Sequence, residues 1–114
     1  MPFINLKTTK TLTDNDKLNL KSEFGKAISI IPGKSEHWLM VSLQDKETMY
    51  FQGDCDEDIA FIEVKIYGKS SSATYNSLTS KLTDIVFSLL NINKDKIYVS
   101  YFETDNWGYN GSNF

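Results

Sequence analysis

Two periods of apolar residues alternate along the chain. Pro2–Leu6 reads as a short strand, and from Thr13 into Ile31 the residues Leu20, Phe24, Ala27, Ile28 and Ile31 recur at helical spacing on one face. Thr13 or Asp14 suits the start of that helix, Asp16 adds a carboxylate to its first turn, and Pro32-Gly33 stops it. Trp38–Leu43 alternates as a second strand. After a polar connection rich in Asp and Glu, Ile59–Ile66 alternates again, with Ile62, Val64 and Ile66 sharing a face. Ser70–Leu90 returns to helical spacing through Tyr75, Leu78, Leu82, Ile85, Val86 and Leu89, and Asn91 suits the turn that ends it. Ile97–Phe102 supplies a fourth strand.

The order is strand, helix, strand, written twice at nearly equal spacing. A helix between two strands of one sheet implies a right-handed parallel crossover, so each half is a βαβ unit and both helices cover the same sheet face. The expected fold is therefore α/β (α+β), a four-stranded mixed sheet with two helices on one face, in one domain spanning 1–114. The opposite face keeps Phe3, Phe61, Phe102 and the aromatic tail without cover, and an open sheet has two bare edges. Oligomerisation is the expected remedy.

Composition narrows the classes. The 114 residues hold 40% hydrophobic and 24% charged side chains, enough for one core without staples. No run approaches the roughly 18 to 20 apolar residues that cross a bilayer, and the amino terminus lacks a secretory pattern, so a soluble, cytoplasmic protein without membrane insertion is expected. A net charge of -3 with no Lys-rich block argues against nucleic acid as a partner. Cys55 is the only cysteine, which excludes an internal disulfide, a Cys-based zinc site and a Cys-x-x-Cys redox pair. All twelve basic residues are lysines, so an anionic substrate would have to be held by Lys or backbone N–H groups rather than by a guanidinium fork.

Against that background Pro2 is a candidate catalytic group. Removal of Met1 would leave a secondary amine at the terminus, and α-amino groups titrate at about 7.7 to 8.0, close to where a general base works best. The plainer alternative is a proline that starts an edge strand. Lys34, beyond the helix-stopping Pro32-Gly33, is either a solvated lysine or a cation able to disfavour protonation of a neighbouring amine. Tyr98 alone reads as a strand tyrosine. Asp54–Asp58 has the alternating acids of a calcium loop, but Ile59 and Lys65 stand where such a loop needs glycine and glutamate, which leaves a solvated acidic loop. His37 has no second ligand at metal spacing. Asn110-Gly111-Ser112 matches a glycosylation acceptor that carries no consequence without a secretory signal.

Met1-Pro2 before a strand, Pro32-Gly33-Lys34 after the first helix, Asp95-Lys96-Ile97-Tyr98 at the last main strand and the tail Asn106–Phe114 together resemble the macrophage migration inhibitory factor family of the tautomerase superfamily. The resemblance spans nearly the whole chain, and its tail motif is the most specific part. It implies a homotrimer around a central channel, with a keto-enol tautomerase site between adjacent subunits that needs no metal or cofactor. Pro2 would be the base, acting on a small 2-keto acid such as phenylpyruvate or on an aromatic enol. Lys34 would hold the substrate carboxylate, the Ile66 N–H would add a hydrogen bond, and Tyr98 of the adjacent subunit would pack on the substrate. Trp107, Tyr109 and Phe114 would form the apolar rim.

Departures limit what the resemblance transfers. Ser100 stands where the family often has asparagine and reaches less far. Trp38 replaces a frequent tyrosine, and Trp107 a smaller aliphatic residue, which reshapes the mouth. The Cys-x-x-Cys of some members aligns with Ile59–Ile62, so thiol-disulfide activity does not transfer. The family's cytokine members imply a second reading, a signalling protein with a receptor partner, a residual pocket and export without a signal peptide. Dehalogenase or decarboxylase chemistry is disfavoured, since those relatives use active-site arginines.

Overall fold

The first helix is started by a reciprocal cap. The Thr13 hydroxyl accepts from Asp16 N–H and the Asp16 carboxylate accepts from Thr13 N–H, each at 3.0 Å. The computed structural model describes residues 1–114. Its elements are β1 (Pro2–Thr8), α1 (Asp14–Ala27), β2 (Met40–Gln44), β3 (Ala60–Tyr67), α2 (Ser72–Leu90), β4 (Ile97–Thr104) and a terminal hairpin of β5 (Gly108–Tyr109) and β6 (Ser112–Asn113). Ser71 caps α2 by accepting from Thr74 N–H, and Asn91 ends it in the left-handed region at φ 55°.

Strand order in the main sheet is β2-β1-β3-β4. The outer pairs, β1 with β2 and β3 with β4, are parallel, while β1 and β3 run antiparallel at the centre. Each half is thus the expected βαβ unit, and the mixed four-stranded sheet under two helices agrees with the sequence reading. Ile4, Leu6, Ile62, Val64 and Ile66 point from the central strands into one apolar core with Leu20 and Phe24 of α1 and Leu78, Leu82 and Val86 of α2. Burying such a side chain contributes about 1.5–3 kcal/mol, so the core is the main stabilising term. On the other face, alternation places Phe3, Asn5 and Lys7, Phe61, Glu63 and Lys65, and Tyr98, Ser100 and Phe102, with no helix above them.

Most boundaries differ from the expectation by one or two residues, and three differences have a local reason. The helix expected to reach Ile31 ends at Ala27 and tightens into a 3-10 turn over Ile28–Ile30. Ile31 O then accepts from Lys34 N–H at 3.1 Å across Pro32 and Gly33, whose φ of +81° suits a type II turn. The second strand starts at Met40 rather than Trp38, because Glu36–Trp38 closes a 3-10 turn. Gly25 permits that turn to lie against α1, since a Cβ there would collide with the Glu36 carboxylate. The tail, for which no element was expected, forms a hairpin about Asn110-Gly111, both at positive φ as a type I′ turn requires.

Candidate active site

The amino terminus lies at the β1 end of the sheet, where three segments converge. Tyr67 N–H, at the end of β3, donates to Met1 O at 3.1 Å, and the Lys34 ammonium donates to Tyr67 O at 2.9 Å. The Pro32-Gly33 turn thereby delivers Lys34 to the terminus. Pro2 is buried, opposite Ile66 across β1 and β3. The Met1 ammonium is held below its ordinary pKa, first by burial and then by the charge of Lys34 and its hydrogen bond. This surrounding favours a neutral amine.

Two hollows meet at Met1. The larger, of about 640 Å³, is lined by Pro2, Trp38, Lys65, Trp107 and Tyr109 among others, and it contains no carboxylate. The smaller, of about 310 Å³, is bounded by Gly33, Trp38, Tyr67 and Phe114. Their aromatic walls are mutually braced. Trp38 meets Tyr109 edge-on at 5.3 Å, Tyr109 stacks with Phe114 at 6.3 Å, and Phe114 leans on Tyr67 at 5.7 Å. Phe114 N–H donates to Trp107 O at 3.1 Å, which ties the end of the chain to the wall.

Of the residues singled out in the sequence, Pro2, Lys34, Trp107 and Phe114 are brought together. Tyr98 and Ser100 are not brought to them within one chain. Tyr98 pairs with Phe61, whereas Pro2 pairs with Ile66, so the two lie five residues apart along β3, roughly 17 Å at 3.3 Å per residue. Tyr98 instead walls a separate apolar hollow of about 210 Å³ with Phe51, Phe61 and Lys96. Ser100 pairs with Glu63 at the middle of the open face.

Ile66 requires a correction of one position. Successive β3 N–H groups point to alternate neighbours, and Tyr67 donates to Met1 O while Gly68 donates to Thr104 O. The Ile66 N–H is therefore directed to β4, its side chain is in the core, and the donor beside the terminus belongs to Tyr67. Two further residues of the site, Tyr67 and Lys65, did not emerge from sequence as site residues, and His37, set aside there for want of a second metal ligand, lines the larger hollow. For Lys65 the signal was present: an exposed lysine on the strand face opposite Ile62, Val64 and Ile66. No group of three His, Cys, Asp or Glu side chains is arranged to hold a metal ion, and no helix is long and apolar enough to cross a membrane.

The fold of two antiparallel-joined βαβ units recurs in known proteins. The family model for macrophage migration inhibitory factor (MIF) matches residues 1–114. The chain belongs to the macrophage migration inhibitory factor family. Members of the family include tautomerases and cytokine-like proteins. The Xenopus laevis macrophage migration inhibitory factor is 28% identical over 116 residues, covering 100% of this chain and 99% of its own. Among solved structures, Leishmania major MIF2 has a TM-score of 0.92 at 28% identity, covering 100% of this chain and 97% of that one. A macrophage migration inhibitory factor homologue from Prochlorococcus marinus has a TM-score of 0.80 at 25% identity, covering 98% of each. These likenesses span both halves of the sheet and the tail.

Proposed function

We propose that the chain, acting as one domain over 1–114, is a keto-enol tautomerase of phenylpyruvate type in which Pro2, exposed by loss of Met1, is the general base. The observation that carries this reading is the setting of the terminus, where burial and Lys34 depress the Met1 amine at the edge of a hollow without carboxylates, a setting that Pro2 inherits when Met1 is lost. In the neutral form the Pro2 nitrogen takes the α-proton of a 2-keto acid, the electron pair moves onto the carbonyl oxygen as the enolate forms, and the resulting ammonium returns a proton to that oxygen. Lys34 holds the carboxylate. Loss of Met1 also removes the carbonyl that occupies Tyr67 N–H, leaving that donor free for the substrate, in the place first assigned to Ile66. The aromatic walls from Trp38, Trp107 and Phe114 flank the ring.

Tyr98, and Ser100 through a water, complete the site from an adjacent subunit of a homotrimer. Their distance from Pro2 within one chain and the uncovered sheet face support that arrangement. The test compares phenylpyruvate enolisation by protein whose intact mass begins at Pro2 with protein that keeps Met1 or carries a tag. An amide nitrogen has no basic lone pair, so the blocked forms are expected to lose about 10²- to 10⁴-fold in rate. Equal rates from both would refute the assignment. Sedimentation of the same samples checks the trimer.

A further inference from the structure

The larger hollow holds a second cation that the proposed reaction does not use. Lys65 is exposed on the uncovered face of β3 and lines the hollow that contains Pro2, Trp38 and Trp107. Its sheet neighbours are Phe3 and Phe102, one on each side in register. The Lys65 ammonium lies 5.9 Å from the centroid of each ring, so it is steadied between two aromatic faces rather than left to sweep through solvent. No carboxylate answers it. The ion pairs of the chain use Lys7, Lys26, Lys94 and Lys96, and the walls of the hollow carry no acid.

Lys34 donates to Tyr67 O, two residues along β3 from Lys65, and its charge acts on the Met1 amine. A ligand seated at the terminus therefore meets the Lys34 ammonium beside the amine and, along the larger hollow, a second ammonium at Lys65. A mono-anionic keto acid would satisfy Lys34 and leave Lys65 unanswered. We propose that Lys65 is a specificity-determining residue that selects dianionic substrates, 2-keto acids whose aromatic or aliphatic body carries a second anionic group distal to the carboxylate. This rests on the tautomerase reading of the same site and names the substrate class it prefers.

Phenylpyruvate and 4-carboxyphenylpyruvate differ by one distal carboxylate and are the probes. Their dissociation constants on the processed protein are measured by quenching of tryptophan fluorescence, since Trp38 and Trp107 wall the hollow. The dianion is expected to bind about tenfold tighter, equivalent to ~1.4 kcal/mol, and the advantage is expected to shrink as salt rises, because the hollow is open to solvent. In Lys65→Met and Lys65→Gln the ratio of the two constants is expected to fall to about one, while Lys65→Arg keeps most of it. A ratio is less affected than either constant alone by a change Lys65 makes to the Pro2 amine, because both acids place a carboxylate at the same end. Circular dichroism confirms that the variants fold.

Two results would overturn the proposal. One is a wild-type ratio near one, which would also be seen if a neighbouring subunit's acid already neutralised Lys65. The other is a wild-type preference that survives loss of the charge in both variants. Binding of both keto acids without enolisation would sink the Pro2 base and leave the selectivity standing. Failure of both acids to bind would overturn both readings.

Discussion

Exchanging Lys34 for methionine keeps an unbranched apolar stem of similar length and removes one positive charge from beside the terminus. The ammonium is half-buried, fixed by its 2.9 Å hydrogen bond to Tyr67 O, and paired with no carboxylate, so its charge is free for a substrate. An ion pair at about 4 Å with an effective dielectric near 20 is worth about 4 kcal/mol before desolvation. After desolvation a hydrogen bond to a charged group retains about 1.5–3 kcal/mol. That range corresponds to a rise of about 10- to 150-fold in KM for a keto acid in the Lys34→Met protein. A second effect has a definite sign. Lys34 lowers the pKa of the Met1 ammonium, and the same cation is expected to act on the Pro2 nitrogen one residue further along, so its removal raises that pKa and at a given pH less of the base is neutral. The acid limb of the kcat/KM profile for phenylpyruvate enolisation is therefore expected to move to higher pH. Initial rates from pH 5 to 9 on protein starting at Pro2 measure both. A KM within twofold of wild type together with an unmoved acid limb would show that Lys34 is only a solvated lysine beyond a helix.

Removing the α1 cap by Thr13→Ala is expected to cost about 1 kcal/mol in urea unfolding with no change in the slope; no loss at all would mean that the helix start is held by packing alone. At the β4 edge, Tyr75 O–H donates to Glu103 at 2.5 Å and holds that carboxyl below its usual range, with Ser70 N–H and Lys69 adding to the effect. A depressed folded pKa stabilises above the unfolded value, about 4.3, and the contribution is lost as pH falls through the folded value. Tyr75→Phe, which keeps the 4.4 Å stack on Tyr101, is therefore expected to lower Tm at pH 7 and to converge with wild type at strongly acidic pH; a Tm deficit independent of pH would assign the effect to packing.

Periodicity made the two βαβ units legible because buried strands and half-buried helices must repeat their apolar residues at fixed intervals, and Ile62–Ile66 and Leu78–Val86 do so. It could not place the ends, because those depend on partners elsewhere. Trp38 alternates like a strand residue, yet the Glu36–Trp38 turn withdraws it toward Tyr109. The tail hairpin was announced by Asn110-Gly111, a dipeptide whose two positive φ values define the turn, although it read more readily as part of a glycosylation motif. Pro2 and Lys34 were singled out through the family resemblance, since by themselves they read as an edge-strand proline and a solvated lysine. Tyr67 was missed because its contribution is a backbone N–H that no side-chain pattern reveals. Only the hydrogen bonds to Met1 O and Thr104 O fix which β3 amide faces the terminus.

The antiparallel joint between β1 and β3 gives the two halves of the sheet opposite directions, and each half ends in a hollow at the start of its own strands, one around Pro2 and one around Ala60. A polypeptide has only one free α-amine. The repeat in architecture therefore cannot be a repeat in chemistry: residue 60 occupies the counterpart of residue 2 with its nitrogen locked in a peptide bond. Its hollow can offer surface but no proton acceptor of that kind. Each chain then carries at most one reactive centre of that kind, and any stoichiometric inhibitor directed at the terminal nitrogen will titrate one equivalent per chain, however symmetric the fold looks.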